Sequence, residues 1–445
     1  MIKRLLIANR GEVAVRIIRT CREMGIETVA VYSTADREGL HVRLADKAVC
    51  IGPPPSAQSY LLGNNLIMAA IHTNCDAIHP GVGFLSENPD FARLVLDKGL
   101  GFIGPSPELL ALLGDKVQAR STAQHFGLPI TPGTKTAVKD YAQALDAVRT
   151  LGFPVILKAA AGGGGKGMRV VQEESELSEQ LVIAQAEAAA NFADPRIFIE
   201  RYLKNPRHVE LQILAAGKVA VLGERDCSVQ KNHQKLIEES PSPGVSAGMR
   251  EQMAHGATKL FQELGYRGAG TIEFLVDQEE FYFMEVNARL QVEHPVSEWV
   301  TGTDIVREQI LACTEGRMEI DPQTVLLQGW AMECRINALS PGRVTDLHIP
   351  GGPGVRFDTC LYTGCIVPPH YDAMVGKLIV HGPNRERVLA RMDRALAELR
   401  IEGIPTNRSE QAGILQESRF RSGQFGTAYY EEREKQILQE ALHAR

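Results

Sequence analysis

Apolar residues along this chain follow two spacings, one of about 3.6 residues and one of two. The chain begins with an apolar run at 3–8 (KRLLIA), continues with helical spacing at 12–25 (EVAVRIIRTCREMG) and returns to an apolar run at 27–33 (ETVAVYS). This order predicts a strand, a helix and a second strand parallel to the first. The first turn, ANRGE, lacks GxGxxG, so nothing in it indicates a dinucleotide site.

The middle of the chain is rich in predicted strands, and a helix precedes them at 115–126. The strands are expected at 153–160 (FPVILKAA), 198–203 (FIERYL), 208–215 (HVELQILA) and 218–228 (KVAVLGERDCS). The region from about 329 onward is also strand-rich, with helices predicted at 385–400 and 429–445. A chain of 445 residues is long enough for about three domains.

The most informative chemical signal is a predicted hairpin. Residues 271–276 (TIEFLV) and 281–286 (FYFMEV) are strand-like runs, and a three-residue turn at 278–280 would set Glu273 opposite Glu285. Two carboxylates about 4 Å apart repel by roughly 4 kcal/mol at an effective dielectric near 20. A divalent cation between them would turn this repulsion into binding, and oxygen ligands suit Mg²⁺ or Mn²⁺. The alternative is a solvated acidic hairpin.

Polar and apolar residues alternate from 285 to 293 (EVNARLQVE). If the segment is extended throughout, Val286, Ala288, Leu290 and Val292 point into the core. The opposite face then carries Glu285, Asn287, Arg289, Gln291 and Glu293. Two carboxylates, two amides and one guanidinium are suited to holding a metal and an anion together.

Four consecutive glycines at 162–165 precede Lys166. Their bare backbone N–H groups can close on phosphate oxygens, and their position between two predicted strands indicates a mobile hairpin lid over a triphosphate. The loop is not a Walker A loop, because the GK[ST] ending and the following helix are absent. A flexible surface turn is the alternative.

Several other residues are candidates for contacts with a nucleotide. Lys116 and Lys158 can contact phosphate or purine, and Lys158 ends an apolar strand where a free charge would be costly. The backbone of 200–203 can face an adenine edge. His208 and His233 lie in polar surroundings, and a surface histidine is the more common explanation for each.

Composition narrows the functional classes. A net charge of −6 and a pI near 6.1 argue against a nucleic-acid-binding surface. Eight scattered cysteines without CxxC or zinc spacing indicate reduced thiols and a cytoplasmic location. No apolar run approaches the roughly 18 residues of a membrane helix, and the N-terminus runs into a strand and helix rather than a signal peptide.

Five motifs together resemble biotin carboxylase, an ATP-grasp enzyme, over nearly the whole chain. They are HPGVGFLSEN at 79–88, GGGGKGM at 162–168, ERDCSVQKNHQK at 224–235, MEVNARLQVEHPVSE at 284–298 and AMECRINA at 331–338. The resemblance implies that ATP phosphorylates bicarbonate to carboxyphosphate, which then carboxylates N1′ of biotin on a carrier protein.

The resemblance also implies a mixed α/β and α+β multidomain fold. We expect a Rossmann-like N-terminal domain at 1–113 and an ATP-grasp domain at 114–325, with its lid at about 130–203. A strand-rich C-terminal domain would follow at 326–445.

Individual roles are likewise implied by the resemblance. The ATP contacts would be Lys116, Lys158, Gly164, Gly165, Glu200, Arg201, Tyr202, Leu203, His208, His233, Glu273 and Glu285. Two Mg²⁺ or Mn²⁺ ions would be held by Glu273, Glu285 and Asn287. Bicarbonate would be bound by Lys235, Arg289 and the backbone of Val292. Glu293 would be its base and Arg335 would face the ureido group of biotin, so the catalytic residues are Lys235, Arg289, Glu293 and Arg335.

Two departures from the family pattern lie near the implied biotin site. Val82 stands where the family usually has tyrosine, and the loop after Ala338 (ALSPGRV) is short. The implied partners are a biotin carboxyl carrier protein, since no Met-Lys-Met acceptor segment is present, and carboxyltransferase subunits. A homodimer is also implied, with Arg19 and Glu23 as candidate interface residues, although an i,i+4 pair within one helix explains them equally well.

Three functional hypotheses follow. The first is the carboxylase subunit of an acetyl-CoA carboxylase in fatty acid synthesis, and the second is the equivalent subunit of a pyruvate or propionyl-CoA system. The third is a nucleotide-binding regulatory paralogue that does not turn over biotin, which the two departures favour.

Overall fold

The structure, a computed structural model, describes residues 2–159, 167–192 and 194–443. The elements of its first part are β1 (Arg4–Ile7), α1 (Gly11–Glu23), β2 (Glu27–Ser33), α2 (Leu40–Leu44), β3 (Lys47–Gly52), α3 (Gly63–His72), β4 (Ala77–His79), α4 (Pro89–Asp97), β5 (Gly101–Phe102) and α5 (Pro107–Gly114). The strands form one parallel sheet in the order β3-β2-β1-β4-β5. The predicted strand, helix and parallel strand are confirmed.

The central part mixes helices with long strands. Its elements are α6 (Lys116–His125), α7 (Tyr141–Leu151), β6 (Val155–Ala159), β7 (Met168–Val171), α8 (Glu174–Phe192), β8 (Ile197–Arg201), β9 (Arg207–Ala216), β10 (Val219–Lys231), β11 (Gln234–Ser240), α9 (Ala247–Glu263), β12 (Arg267–Asp277), β13 (Glu280–Asn287), α10 (His294–Thr301) and α11 (Ile305–Glu315). Strands β7, β6 and β8 form a small separate sheet. The predicted glycine loop at 162–165 lies outside the described residues, but the strands on either side of it, β6 and β7, pair antiparallel as expected for a hairpin.

The C-terminal part continues a sheet that begins in the central part. Its elements are β14 (Trp330–Asn337), β15 (Gly342–Arg343), β16 (Asp346–His348), β17 (Val355–Thr359), β18 (Ile366–Val367), β19 (Met374–Gly382), α12 (Arg385–Glu398), β20 (Arg400–Glu402), α13 (Arg408–Gln416), α14 (Ser418–Arg421) and α15 (Tyr429–His443). One eight-stranded sheet runs β13-β12-β9-β10-β11-β14-β19-β17, joined by antiparallel pairing of β11 with β14. Side chains from both parts can therefore meet on one sheet face.

All eight cysteines are free. Among the helices of the described ranges, none combines the length and apolar character that a bilayer crossing requires.

The predicted hairpin is confirmed, but its turn is shorter than expected. Strands β12 and β13 pair antiparallel, and two residues, 278–279, connect them instead of three. A two-residue turn alone would place Glu273 opposite Met284. A β-bulge shifts the register just beyond Phe274, and Glu273 therefore lies opposite Glu285 as predicted.

The predicted extended segment at 285–293 is interrupted. Strand β13 ends at Asn287, and α10 begins shortly afterwards. The amide of Ala288 donates to Oε1 of Glu87 at 3.1 Å, so the chain leaves the sheet for the first domain instead of pairing with a neighbouring strand. Ala288 is buried as predicted, whereas Val292 is only half-buried.

A single lysine connects the three parts of the fold. Lys377 on β19 is completely buried. Its Nζ donates to the carbonyl of Val292 at 2.8 Å and lies 3.1 Å from Oε2 of Glu12 on α1. Burial of an ion pair is costly, and removal of one partner leaves the other charge unpaired.

We expect Lys377→Met to lower the free energy of unfolding by about 3–5 kcal/mol, because Glu12 then lies buried without its cation. Urea denaturation followed by circular dichroism measures this change. Lys259→Met, at an exposed position on α9, is the matched control. Adding Glu12→Gln to Lys377→Met should recover part of the loss, and an unfolding midpoint of Lys377→Met equal to that of the wild type would contradict the account.

Candidate active site

Charged residues form a row across four adjacent strands of the large sheet. Glu285 on β13 lies opposite Glu273 on β12, Glu273 lies opposite Glu210 on β9, and Glu210 lies opposite Arg225 on β10. Like charges opposite one another destabilise a sheet unless cations compensate them. The arrangement therefore concentrates negative charge that must be balanced locally.

The balancing cation is Lys235 on β11. Its Nζ lies 2.6 Å from Oε2 of Glu210, 3.0 Å from Oε1 of Glu273 and 2.7 Å from Oε1 of Glu293. The three carboxylates are almost completely buried. Arg225, itself fully buried, donates from Nε to Oε1 of Glu210 at 2.6 Å.

The buried charges shift the ionisation of the carboxyl groups. Burial alone would raise the pKa of Glu293, but Lys235 and Arg335 outweigh it and hold that pKa well below its usual value. Burial likewise opposes ionisation of Glu273, whose pKa Lys235 and His208 nevertheless lower. Burial and the negative charge of Glu293 raise the pKa of Glu210. The cluster thus keeps Glu273 and Glu293 ionised.

Two of the predicted metal ligands face one another, and the third bonds to one of them. Burial and the opposing charge of Glu273 raise the pKa of half-buried Glu285, while Nζ of Lys116 lies 3.7 Å from its Oε2. Asn287 donates from Nδ2 to Oε1 of Glu273 at 2.9 Å. These groups offer the hard oxygen donors that Mg²⁺ prefers. His208 lies close enough to Glu273 to share an ion with it, and its Nε2 bonds to Oε2 of Glu273 at 2.9 Å.

Arg289 lies beside this carboxylate group, although the strand ends before it. Its Nε pairs with Oε2 of Glu87 at 2.7 Å, and its Nη2 donates to Oδ1 of Asn287 at 2.9 Å. Gln291 accepts from Nη1 at 3.2 Å and donates to Glu273 at 3.2 Å. The alternation predicted these polar side chains on one face of a strand. They do lie together, but a turn after β13 brings Arg289 and Gln291 to Asn287 and Glu273.

Three of the predicted nucleotide residues, Lys158, Glu200 and Arg201, lie on the small sheet formed by β7, β6 and β8. Glu200 on β8 is buried; its Oε2 accepts from Nζ of Lys158 at 2.5 Å, and its Oε1 accepts from Arg120. The amides of Arg201 and Tyr202 donate to carbonyls of residues 132 and 154. The amide of Leu203 donates to no other group in the described part of the chain, which leaves it available to a ligand.

Other predicted residues lie elsewhere or outside the described residues. His208 is buried on β9, whereas His233 is exposed in the turn between β10 and β11 with φ +62°, so the surface explanation fits only His233. Gly164 and Gly165 lie outside the described residues. Arg19 and Glu23 are exposed on α1 and form no ion pair with each other in the described structure.

Val82 lies in the segment after β4, and the short loop after Ala338 follows β14, the strand that carries Arg335. The carbonyl of Val82 accepts from Nδ2 of Asn9 at 2.8 Å, and its half-buried side chain packs against the core. The loop after Ala338 leaves Leu339 about two-thirds exposed at 66%.

Several residues that contact the predicted site were not identified from the sequence: Glu87, Arg120, Glu210, Arg225, Lys377 and Glu238, whose Oε1 accepts from Nε of Arg335 at 2.5 Å. A usable signal existed for Glu210, because His208, Glu210 and Gln212 alternate with apolar residues along β9. Glu87 lies 202 positions before Arg289 in the chain, and no spacing in sequence predicts the contact between them.

Comparison with known families agrees with the motifs. A family model described as biotin carboxylase, N-terminal domain, matches residues 1–110, and one described as biotin carboxylase C-terminal domain matches residues 333–432. Between them, residues 115–318 match the ATP binding domain of the carbamoyl-phosphate synthase L chain.

Individual relatives match over almost the whole chain. Biotin carboxylase 1 of Bacillus subtilis (strain 168) is 49% identical over 443 residues, which cover 97% of this chain and 98% of the relative. The chloroplastic biotin carboxylase of Arabidopsis thaliana is 45% identical over 447 residues, which cover 98% of this chain and 83% of the relative.

Solved structures show the same fold. The biotin carboxylase–beta-gamma-ATP complex of Campylobacter jejuni superimposes with a TM-score of 0.93 at 42% identity and covers 97% of this chain and 99% of its own. The biotin carboxylase domain dimer of Hydrogenobacter thermophilus 2-oxoglutarate carboxylase, with MgADP, ADP and bicarbonate, gives 0.91 at 40% identity and covers 97% and 98%. The chain therefore belongs to the biotin carboxylase family and is an ATP-dependent ligase of the ATP-grasp type.

Proposed function

We propose that the chain uses ATP to activate bicarbonate and then carboxylates biotin on a carrier protein. The observation that carries this proposal is the continuous set of ion pairs from Glu273 through Lys235 and Glu293 to Arg335. It places the proposed phosphate-side carboxylates and the proposed biotin residue at the two ends of one charged cluster. The solved relatives with an ATP ligand, MgADP and bicarbonate support the same substrates.

We infer that the small sheet of β7, β6 and β8 belongs to the lid, and the nucleotide would lie between this sheet and the large sheet. Lys116 and Lys158 supply positive charge for phosphate oxygens, and the free amide of Leu203 can donate to the adenine edge. Glu273, Glu285 and Asn287 would hold magnesium, or manganese in its place, and a bound cation would neutralise the phosphate oxygens. Phosphoryl transfer needs mainly such positioning and charge neutralisation.

Bicarbonate would bind beside Arg289 and Lys235, near the backbone of Val292. In the ligand-free cluster Glu293 is a weak base, because two cations stabilise its ionised form. An anion that draws Lys235 toward itself reduces this stabilisation and makes Glu293 a stronger base. Transfer of the bicarbonate proton to Glu293 then leaves an oxygen that can attack the γ-phosphorus of ATP. This attack breaks the bond between that phosphorus and the β,γ-bridging oxygen and gives carboxyphosphate and ADP. General base catalysis of this kind contributes about 10²–10⁴ in rate.

Biotin would approach Arg335, whose guanidinium can stabilise negative charge on the ureido oxygen as N1′ loses its proton. Loss of one such donor typically costs about 10²–10³ in rate. Val82 presents a smaller side chain than the tyrosine usual in the family, and the short loop after Ala338 follows the strand that carries Arg335. Both features predict a higher KM for free biotin than for biotin on its carrier.

The wider assignments are also part of the proposal. We propose domains at 1–113, 114–325 and 326–445, with the lid at about 130–203, a homodimer and a cytoplasmic location. The dimer of the Hydrogenobacter domain supports the homodimer, and the free cysteines support the cytoplasmic location. The physiological system would be an acetyl-CoA carboxylase of fatty acid synthesis with carboxyltransferase subunits.

We expect the purified chain to release phosphate in a biotin-dependent manner when given ATP, Mg²⁺, bicarbonate and free biotin. Glu293→Gln should lower this rate by at least about 10²-fold and leave ATP affinity intact, because it removes the base but not the nucleotide contacts. Glu308→Gln, at a buried carboxylate on α11 outside the cluster, is the control. A folded wild type that binds ATP but releases no phosphate would refute the proposed turnover and favour the regulatory paralogue.

Glu285→Gln should raise the Mg²⁺ concentration for half-maximal rate by about tenfold, because it removes one charged ligand. The same substitution removes the repulsion with Glu273, so the thermal midpoint in chelator should not fall. Differential scanning fluorimetry with and without Mg²⁺ measures this second effect. Glu279→Gln, in the exposed turn of the hairpin, controls for loss of surface charge. An unchanged Mg²⁺ requirement would contradict the metal assignment.

A further inference from the structure

Two carboxylates hold the guanidinium of Arg335 from different sides. Its Nε donates to Oε1 of Glu238 at 2.5 Å, and its Nη2 donates to Oε2 of Glu293 at 3.0 Å. Within the described part of the chain, Nη1 donates to no protein group. The side chain is 16% exposed, so this third nitrogen can meet a ligand.

The backbone of Arg335 is fixed as well. Its carbonyl accepts from Nδ2 of Asn407 at 3.1 Å and from Nε2 of Gln411 at 2.9 Å. Only the side chain of Arg335 can then change its orientation, and the carboxylates of Glu238 and Glu293 determine that orientation. Glu293 is also the proposed base for bicarbonate. Its hydrogen bond to Arg335 must therefore weaken when Glu293 takes up a proton during turnover. In the described ranges, Glu238 forms no hydrogen bond or ion pair with the proposed bicarbonate residues and can therefore pair with Arg335 throughout turnover.

We propose that Glu238 is a positioning residue for the biotin step: it orients Arg335 so that the Nη1 edge of the guanidinium stays available to the ureido oxygen of biotin. This inference rests on the proposed function, because it assigns a partner to the residue that would face biotin. Glu238 itself touches no reacting atom.

The surroundings of Glu238 make its charge sensitive to pH near neutrality. It is fully buried on β11, and its Oε2 has no partner among the described residues. Burial raises the pKa of Glu238 to about 7, and the negative charge of Glu293 also raises it. The positive charges of Arg335 and Lys235 lower this pKa and so limit the shift. On β14 Glu333 lies directly opposite. Burial raises the pKa of Glu333 well above its usual value, so it faces Glu238 as a neutral group.

The other charged groups lie further along the same face. Lys377 on β19 interacts with Glu333, and the Cys227 thiol on β10 is kept neutral because burial raises its pKa well above the usual value. Above about pH 7, ionised Glu238 therefore forms a charge-assisted hydrogen bond with Arg335, which is stronger than the bond of the neutral acid.

Glu238→Gln tests the proposal because it keeps the shape of the side chain and removes its charge. At about pH 8.5, the KM for free biotin should rise about tenfold, the equivalent of losing one charge-assisted hydrogen bond, while the Kd for ATP stays within about twofold. The ratio of kcat/KM for biotin between variant and wild type should return toward one at about pH 6, where Glu238 is already protonated in the wild type.

Glu333→Gln is the matched control, since it alters a buried carboxyl group on the adjacent strand that hydrogen-bonds to no described residue. It should leave the KM for biotin and its pH dependence unchanged. If Glu238→Gln folds poorly, Glu238→Asp keeps the charge but shortens the side chain, and its KM should lie between those of the wild type and Glu238→Gln.

These experiments distinguish failure of the positioning role of Glu238 from failure of the proposed biotin carboxylation. A Glu238→Gln enzyme with the wild-type KM for biotin and the wild-type pH profile would overturn the positioning role while biotin turnover stands. Equal effects of Glu238→Gln and Glu333→Gln would also overturn it, because they would reflect general packing. Absence of biotin-dependent phosphate release in the wild type would refute the proposed function and the inference together.

Discussion

One buried ammonium group makes the site possible. Lys235 contacts Glu210, Glu273 and Glu293, which lie in three separate segments of the chain. Among the described residues, no other cation pairs with all three carboxylates. Buried carboxylates of this density would otherwise take up protons or push the strands apart. Arg225 and Arg335 pair with two of the same carboxylates, so the balance of charge in this cluster would change when an anion draws Lys235 toward itself.

The large sheet provides the rigid support for this balance. Its strands β13, β12, β9, β10, β11 and β14 are adjacent, so the charged row and Arg335 lie on one continuous surface that spans two parts of the chain. Sheet register fixes such positions far better than loops do. The small sheet of β7, β6 and β8, which carries Lys158, Glu200 and Arg201, is separate from this surface.

Sequence patterns predicted much of this, but not the contacts between distant segments. The opposition of Glu273 and Glu285 was predicted, yet the turn was one residue shorter than expected and a bulge restored the register. Alternation cannot reveal such a bulge, because it indicates which residues of one strand share a face but not which residue of the partner strand lies opposite each of them. The pairing of Arg289 with Glu87 and of Arg335 with Glu238 depends on tertiary packing, and the roles assigned to individual residues still rest on family resemblance.

The pH dependence of unfolding in chelator, compared between the wild type and Lys235→Met, tests the central claim most directly. In the wild type, the lowered pKa values of Glu273 and Glu293 contribute stability above about pH 4.5 that is lost as the pH falls. Without Lys235, burial should raise both pKa values, and stability should instead fall as the pH rises toward neutrality. The account predicts that the two stability curves diverge with increasing pH. Parallel curves from about pH 4 to 8 would contradict it.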